Sequence, residues 1–297
     1  MKRLRAKFVV GLFFPMLVGG WNASAAPAAE ASGWVDGPGH RYAVLQLSGT
    51  GREGFTLLSP AQTGVAFTNL LPAQRHLTNQ ILLNGSGVAA GDVDGDGWCD
   101  VFFCGLNSQS KLYRNLGQWR FQDVTESSGV NCANLDATGA AFADLDGDGD
   151  LDLVVNSVGG GTHLFLNDGH GRFTAIPEPL NPGRGGMSLA LADIDGDGDL
   201  DLYIANYRVT TLRDQPNTRF SFKMIEGNPV VTMVNGRPIT DPDLADRFNF
   251  KFTLEGGGLG KFAQEENGEV DAIYLNDGAG RFRLLSFIDG SFLDGDG

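Results

Sequence analysis

A nine-residue aspartate segment occurs three times in this 297-residue chain, as Asp92-Val-Asp-Gly-Asp-Gly-Trp-Cys-Asp100, Asp144-Leu-Asp-Gly-Asp-Gly-Asp-Leu-Asp152 and Asp193-Ile-Asp-Gly-Asp-Gly-Asp-Leu-Asp201. The copies begin 52 and then 49 residues apart, so one unit is repeated and each unit carries the same device. A solvated Asp-Gly turn, the plainer reading, uses one or two such residues rather than four acids in fixed register. Alternate aspartates around a tightly turned backbone instead suit a hard cation that takes six to eight oxygen ligands at about 2.3–2.6 Å.

Each copy offers carboxylates at loop positions 1, 3, 5 and 9, a bend glycine at position 6, and the position-7 carbonyl. The candidate ligands are therefore Asp92, Asp94, Asp96, the Trp98 carbonyl and Asp100 in the first loop. They are Asp144, Asp146, Asp148, the Asp150 carbonyl and Asp152 in the second, and Asp193, Asp195, Asp197, the Asp199 carbonyl and Asp201 in the third. The spacing follows the first half of an EF-hand loop, but the closing acid comes at position 9 rather than 12 and no long helices flank it. Calcium fits this donor set, with three ions expected in a structural role. Zinc is disfavoured because no Cys/His cluster accompanies the acids, and magnesium because it demands strict octahedral geometry and several waters. The loops hold four, five and five aspartates, which together equal the formal net charge of −14. Such crowded carboxylates repel one another, and a cation relieves the repulsion.

After each loop comes a short strand-like run, Val101-Phe-Phe-Cys104, Leu153-Val-Val155 and Leu200-Asp-Leu-Tyr-Ile204. A second signature follows: Lys111-Leu-Tyr-Arg-Asn-Leu-Gly-Gln-Trp-Arg-Phe121, Leu164-Phe-Leu-Asn-Asp-Gly-His-Gly-Arg-Phe173 and Ile273-Tyr-Leu-Asn-Asp-Gly-Ala-Gly-Arg-Phe282. Apolar runs on either side of an Asn-Asp-Gly or Asn-Leu-Gly corner predict a hairpin. Four strands per unit of this length predict a blade of an all-β propeller. The D-x-D-x-D-G-x-x-D loops with the following L-(Y/F)-x-N-x-G hairpins resemble FG-GAP/VCBS repeats, which build integrin-type propellers. Leu83-Asn-Gly-Ser-Gly-Val-Ala-Ala-Gly-Asp92 is similar to exported proteins of the ASPIC/UnbV, cartilage acidic protein-like family. The resemblance covers residues 63–290 and implies calcium on the loop aspartates and the position-7 carbonyls.

That resemblance also implies around seven blades and a C-terminal ASPIC/UnbV domain, whereas three blades are countable and the chain stops at Leu293-Asp-Gly-Asp-Gly297, inside the next repeat. A truncated, incomplete propeller is the expectation. Its parts are a signal peptide at residues 1–25, a linker and N-terminal strand at 26–62 (the strand at 42–47), and a partial propeller at 63–297. The blades are expected at 63–130, 131–181 and 182–290, the last with an insertion at 208–270 containing a hairpin of residues 220–226 and 230–234 and then polar turns around Asn235. Such an insertion is either a binding face or a surface excursion.

Lys2, Arg3, Arg5 and Lys7 precede an apolar run and Ala23-Ser-Ala25, the pattern of an export signal. The alternative, a membrane anchor, wants a longer apolar run, of roughly 20 residues. Cleavage leaves 18 Lys and Arg against 36 acids, which disfavours nucleic acid as a partner and leaves no membrane span. Cys104 and Cys132 are open to two roles, a mutual disulfide or small core residues, and Cys99 is left over. Enzyme chemistry finds little support. His40, His76, His163 and His170 lie in dissimilar contexts, and Glu255-Gly-Gly-Gly-Leu-Gly-Lys-Phe262 lacks the first glycine and final Ser/Thr of a phosphate loop. The expectation is an exported, periplasmic or extracellular, calcium-binding propeller module for a protein or glycan partner. The alternative is a non-catalytic or incomplete part of a secreted carbohydrate-active enzyme.

Overall fold

The computed structural model describes residues 35–37, 40–42, 54–130, 132–211, 214–226, 228–241, 244, 247–254 and 260–285. The export signal, most of the strand expected at 42–47, most of the segment at 255–262 and the tail at 293–297 lie outside the described residues. The chain divides into two units, residues 1–56 and 57–297. In the first, β1 (Val35–Gly37) and β2 (His40–Tyr42) pair as an antiparallel ribbon.

The second unit contains three four-stranded antiparallel blades, each a simple meander in space. The first blade is β3 (Val88–Gly91), β4 (Asp100–Phe103), β5 (Lys111–Asn115) and β6 (Phe121–Asp123). The second is β7 (Ala137–Ala143), β8 (Asp152–Ser157), β9 (Gly161–Asn167) and β10 (Phe173–Ala175). In the third, β11 (Gly186–Ala192) and β12 (Asp201–Asn206) are separated in sequence from the last two strands. Each aspartate loop joins the first and second strands of its blade, and each Asn-containing corner joins the third and fourth, as the strand and hairpin signals predict.

The blades pack face to face. Leu153, Val154 and Val155 of β8 are all fully buried, which is why this strand reads as a continuous apolar run rather than an alternation. Leu153 and Val155 join Phe102, Cys104 and Leu112 of the first blade, whereas Val154 joins Leu202, Ile204 and Tyr274 of the third. Burying each such side chain contributes about 1.5–3 kcal/mol, so the middle blade is held from both sides. The first strands of the blades converge, with β7 against both β3 and β11. That convergence explains their small residues: a Cβ added to Gly87 would lie 2.9 Å from the Gly139 Cα.

Short helices α1 (Pro60–Thr63) and α2 (Ala73–Thr78) and a 3₁₀ turn at Gln80–Asn84 precede the first blade, and α3 (Thr125–Ser128) follows it. The Asn79 side chain caps the 3₁₀ turn by accepting from the Ile81 amide at 3.1 Å. Ile81 and Leu82 are thereby set against Leu106, Val158 and Val209, which lie in or beside the connections between second and third strands of the three blades. In an antiparallel meander those connections share one end, and the aspartate loops and hairpin corners share the other.

The insertion enters at the first of these ends, after β12. Its expected hairpin forms as β13 (Phe220–Ile225) and β14 (Asn228–Val234), and Asn235-Gly236, both at positive φ, turn the chain into β15 (Arg237–Pro238). Where polar turns were the expectation, the chain also forms a second ribbon, β16 (Phe248–Leu254) with β17 (Gly260–Glu266). Strict alternation in Phe248-Asn-Phe-Lys-Phe-Thr-Leu254 is the signal for it. Phe220 and Phe248 meet edge to face at 6.2 Å between centroids, in a small core with Val231, Val234 and Leu244. The third blade is then completed by β18 (Ala272–Asn276) and β19 (Phe282–Leu285).

Of the two roles open to Cys104 and Cys132, the structure takes the second: both are free thiols buried in one core between blades, and burial pushes each up to about 12. Cys99 is exposed. Titration of the native protein with an aromatic disulfide reagent should therefore release one equivalent of thiol, and denaturant should release all three; three equivalents from the native protein would contradict this core.

Candidate metal centre

The first aspartate of every loop organises the backbone around it. In the second loop the Gly147 and Gly149 amides donate to the two Asp144 carboxylate oxygens at 2.8 and 3.1 Å. In the third, Gly196 and Gly198 do the same to Asp193 at 2.7 and 3.2 Å. The first loop differs slightly, with the Asp96 and Gly97 amides donating to Asp92 at 3.1 and 2.8 Å. Glycines at positions 4 and 6 adopt positive φ in every copy, from 71° at Gly95 to 100° at Gly198, so two left-handed residues curl the loop. The bend therefore needs the position-4 glycine of each Asp-Gly-Asp-Gly run as well as the expected one at position 6.

Position 9 has a second role. Asp100, Asp152 and Asp201 are fully buried, and each carboxylate accepts two backbone amides from different segments. Asp152 takes the Leu145 amide of its own loop and the Asn167 amide at the end of β9, both at 2.8 Å. Asp201 takes Ile194 and Asn276 at 2.8 and 2.9 Å, and Asp100 takes Val93 and Asn115 at 3.1 and 2.7 Å. Burial pushes the Asp152 carboxyl up to about 6 and raises that of Asp100, against the pull of those amides.

An asparagine closes the arrangement. The Asn167 side-chain amide donates at 2.8 Å to the Val93 carbonyl, in the first loop, and at 3.0 Å to Leu151, in its own. Asn276 likewise bonds Leu145 of the second loop and Leu200 of the third, at 2.8 and 3.2 Å. Asn115 reaches Cys99 of its own loop at 2.9 Å. The loops of neighbouring blades are thus stitched together by side chains that the sequence marked only as hairpin corners.

Three acid groupings bring their carboxylate oxygens within 4.8 Å of one another: Asp92, Asp94 and Asp96; Asp144, Asp146 and Asp152; Asp193, Asp195 and Asp197. Asp100 and Asp201 stand outside these groupings. Asp148 does too, its carboxylate accepting from the Asp150 amide at 2.9 Å. At position 7, Trp98 packs over Gly117 of its hairpin corner, and the Asp150 and Asp199 carboxylates lie where a Cβ on Gly169 or Gly278 would be. Burial, and then repulsion from the neighbouring acid two residues on, raises Asp146 and Asp195. Among the described residues, no Lys or Arg side chain pairs with an acid of the second or third loop. Oxygen donors converging without a counter-charge, with no thiolate or imidazole among them, are the donor set of a hard divalent cation.

Three face-packed meanders with an acidic loop at the same corner of each define a propeller-type repeat protein. Residues 92–155 and 144–204 match the FG-GAP-like repeat. Cartilage acidic protein 1 of Xenopus tropicalis is 27% identical over 145 residues, 43% of this chain and 22% of that protein. Cartilage acidic protein 1 of Mus musculus and of Homo sapiens are each 33% identical over 98 residues, 32% of this chain and 15% of theirs. Residues 92–204 thus carry FG-GAP-like repeats, and the chain is similar over part of its length to cartilage acidic protein 1, spanning less than a quarter of the length of these relatives.

Positions 9 and 3 of a loop should separate by experiment. Asp201→Ala leaves two amides without their acceptor, at about 1–3 kcal/mol each, and should lower stability to denaturant even in chelator. Asp195→Ala should be nearly silent in chelator and destabilise only when calcium is present; equal losses from both variants in chelator would remove the distinction.

Proposed function

We propose that this chain is part of an exported propeller whose aspartate loops bind calcium, with ions that stabilise the blades rather than perform chemistry, and that the module serves to bind another macromolecule. The observation that carries the calcium reading is the convergence of three carboxylates within 4.8 Å in each of three loops, on a donor set of hard oxygens. The site lies where an ion does structural work, since the same loops receive the asparagine that joins one blade to the next. With affinities of extracellular modules, roughly 0.1–1 mM, about 1 mM calcium would add on the order of 0.4–1.4 kcal/mol per site.

A binding role rather than catalysis is supported by the relatives' name, which is not that of an enzyme, and by the insertion. Its sheet leaves Phe222, Met224, Ile225, Val230 and Met233 exposed, at the end of the blades away from the aspartate loops. Apolar side chains gathered on one element suit a protein partner, or a glycan presented with one. Export is supported by the basic and apolar N-terminal pattern and by the acidic balance of the remainder. No helix among the described residues is long and apolar enough to cross a membrane.

Calorimetric titration with calcium should give a stoichiometry near three, and chelator should lower the melting temperature. Asp146→Ala should remove one equivalent. A melting curve indifferent to both calcium and chelator would end the structural-ion reading. For export, residues 1–25 fused to a periplasmic reporter should carry it across the inner membrane, and a reporter retained in the cytoplasm would contradict that part of the proposal.

A further inference from the structure

The three loops are not equivalent. Arg114 stands directly before the hairpin asparagine of the first blade, where the second and third blades have Leu166 and Leu275. Its guanidinium lies on the first loop, with Nε 2.5 Å from Asp94 and Nη2 2.9 Å from Asp96. Among the described residues, the first loop alone of the three already holds a cation, and that cation belongs to the chain. In the third blade Arg281 and Arg283 line a pocket with Asp195 and Asp197 without forming an ion pair to either acid, and Arg281 pairs with Asp277 of its own hairpin corner.

We propose that Arg114 is an internal competitor for the cation of the first loop, making it the weakest of the three calcium sites and the last to fill. This rests on the calcium reading of the loops. A divalent ion entering the first loop must draw Asp94 and Asp96 away from the guanidinium, a step the other two loops do not require. The Arg114 side chain is 44% exposed, so each ion pair opposes the metal by a modest factor, about five at most. A cleft of about 220 Å³ beside Asp94 and Arg114, bounded by Val124, Ser127, His170 and Arg172, gives the displaced side chain room to move without unpacking the blade. The arrangement grades the loops: two fill at low calcium, and the first answers only at higher concentration.

The first loop also carries its own reporter, because Trp98 occupies position 7 there while Asp150 and Asp199 occupy it elsewhere. Terbium, as a calcium surrogate, should give tryptophan-sensitised emission from the first loop, and Trp98→Phe should abolish that signal and so assign it. In the native protein this emission should titrate at higher terbium than the two sites seen by calorimetry. Arg114→Leu, which installs the residue of the other blades, should shift the midpoint to about three- to thirtyfold lower terbium, and calcium should compete with the same shift. Arg114→Gln, which keeps a polar side chain and removes the charge, should move it the same way and guards against a folding defect in the leucine variant. If the midpoint stays within a factor of about two in both variants while the other loops still titrate, Arg114 is no competitor and this proposal falls alone. If no loop takes up terbium or calcium in any variant, the calcium reading falls and takes this proposal with it.

Discussion

A buried carboxylate clasping two backbone amides is the interaction on which the rest of the blade depends. In each repeat the ninth loop residue fixes the loop on one side and the end of the third strand on the other. A charge held away from water is tolerable only when its oxygens are satisfied, and here both are, by donors that cannot move without disrupting the sheet. The loop is therefore anchored at its end before any cation is considered. The carboxylates nearer its start converge instead on one another. In the first and third repeats the clasped acid stands apart from the converging group, whereas Asp152 of the second belongs to both.

The aspartate loops are tied in turn to the packing of the blades. The asparagine beside each clasped amide in the second and third blades reaches the loop of the blade before it, so a loop's shape is felt by its neighbour. Beneath these polar contacts lie the apolar faces, Leu153 and Val155 toward one side and Val154 toward the other. Polar stitching sets the register of the blades at one end, and apolar burial supplies most of the stabilisation between them. Neither alone would specify a radial stack.

Much of this was written openly in the chain. The aspartate register, the strand after each loop and the asparagine-glycine corners are local patterns, and each found its place in the sheets. What the sequence did not give away were properties of contacts between distant segments. Nothing in the spelling of Asp201 marks it as the acid that grips the amides of Ile194 and Asn276 while Asp193, Asp195 and Asp197 converge. The reach of Asn276 to Leu145, 131 residues away, is settled only when the blades stack. Arg114 looked like an ordinary strand residue until the fold set it on Asp94 and Asp96. The β16–β17 ribbon is a different case, since its alternation is local and legible in Phe248-Asn-Phe-Lys-Phe-Thr-Leu254 itself.

The meander also divides the molecule's two rims by how tightly each is bound to the blades. Connections between second and third strands lie away from the acidic corners, and it is there that the third blade accommodates a connection of 65 residues while β12 and β18 still pair as neighbours. Loops on that rim can lengthen, exchange sequence and acquire new surface without disturbing a single carboxylate of the opposite one. One edge is fixed by clasped carboxylates and reaching asparagines, and the other has room for added chain.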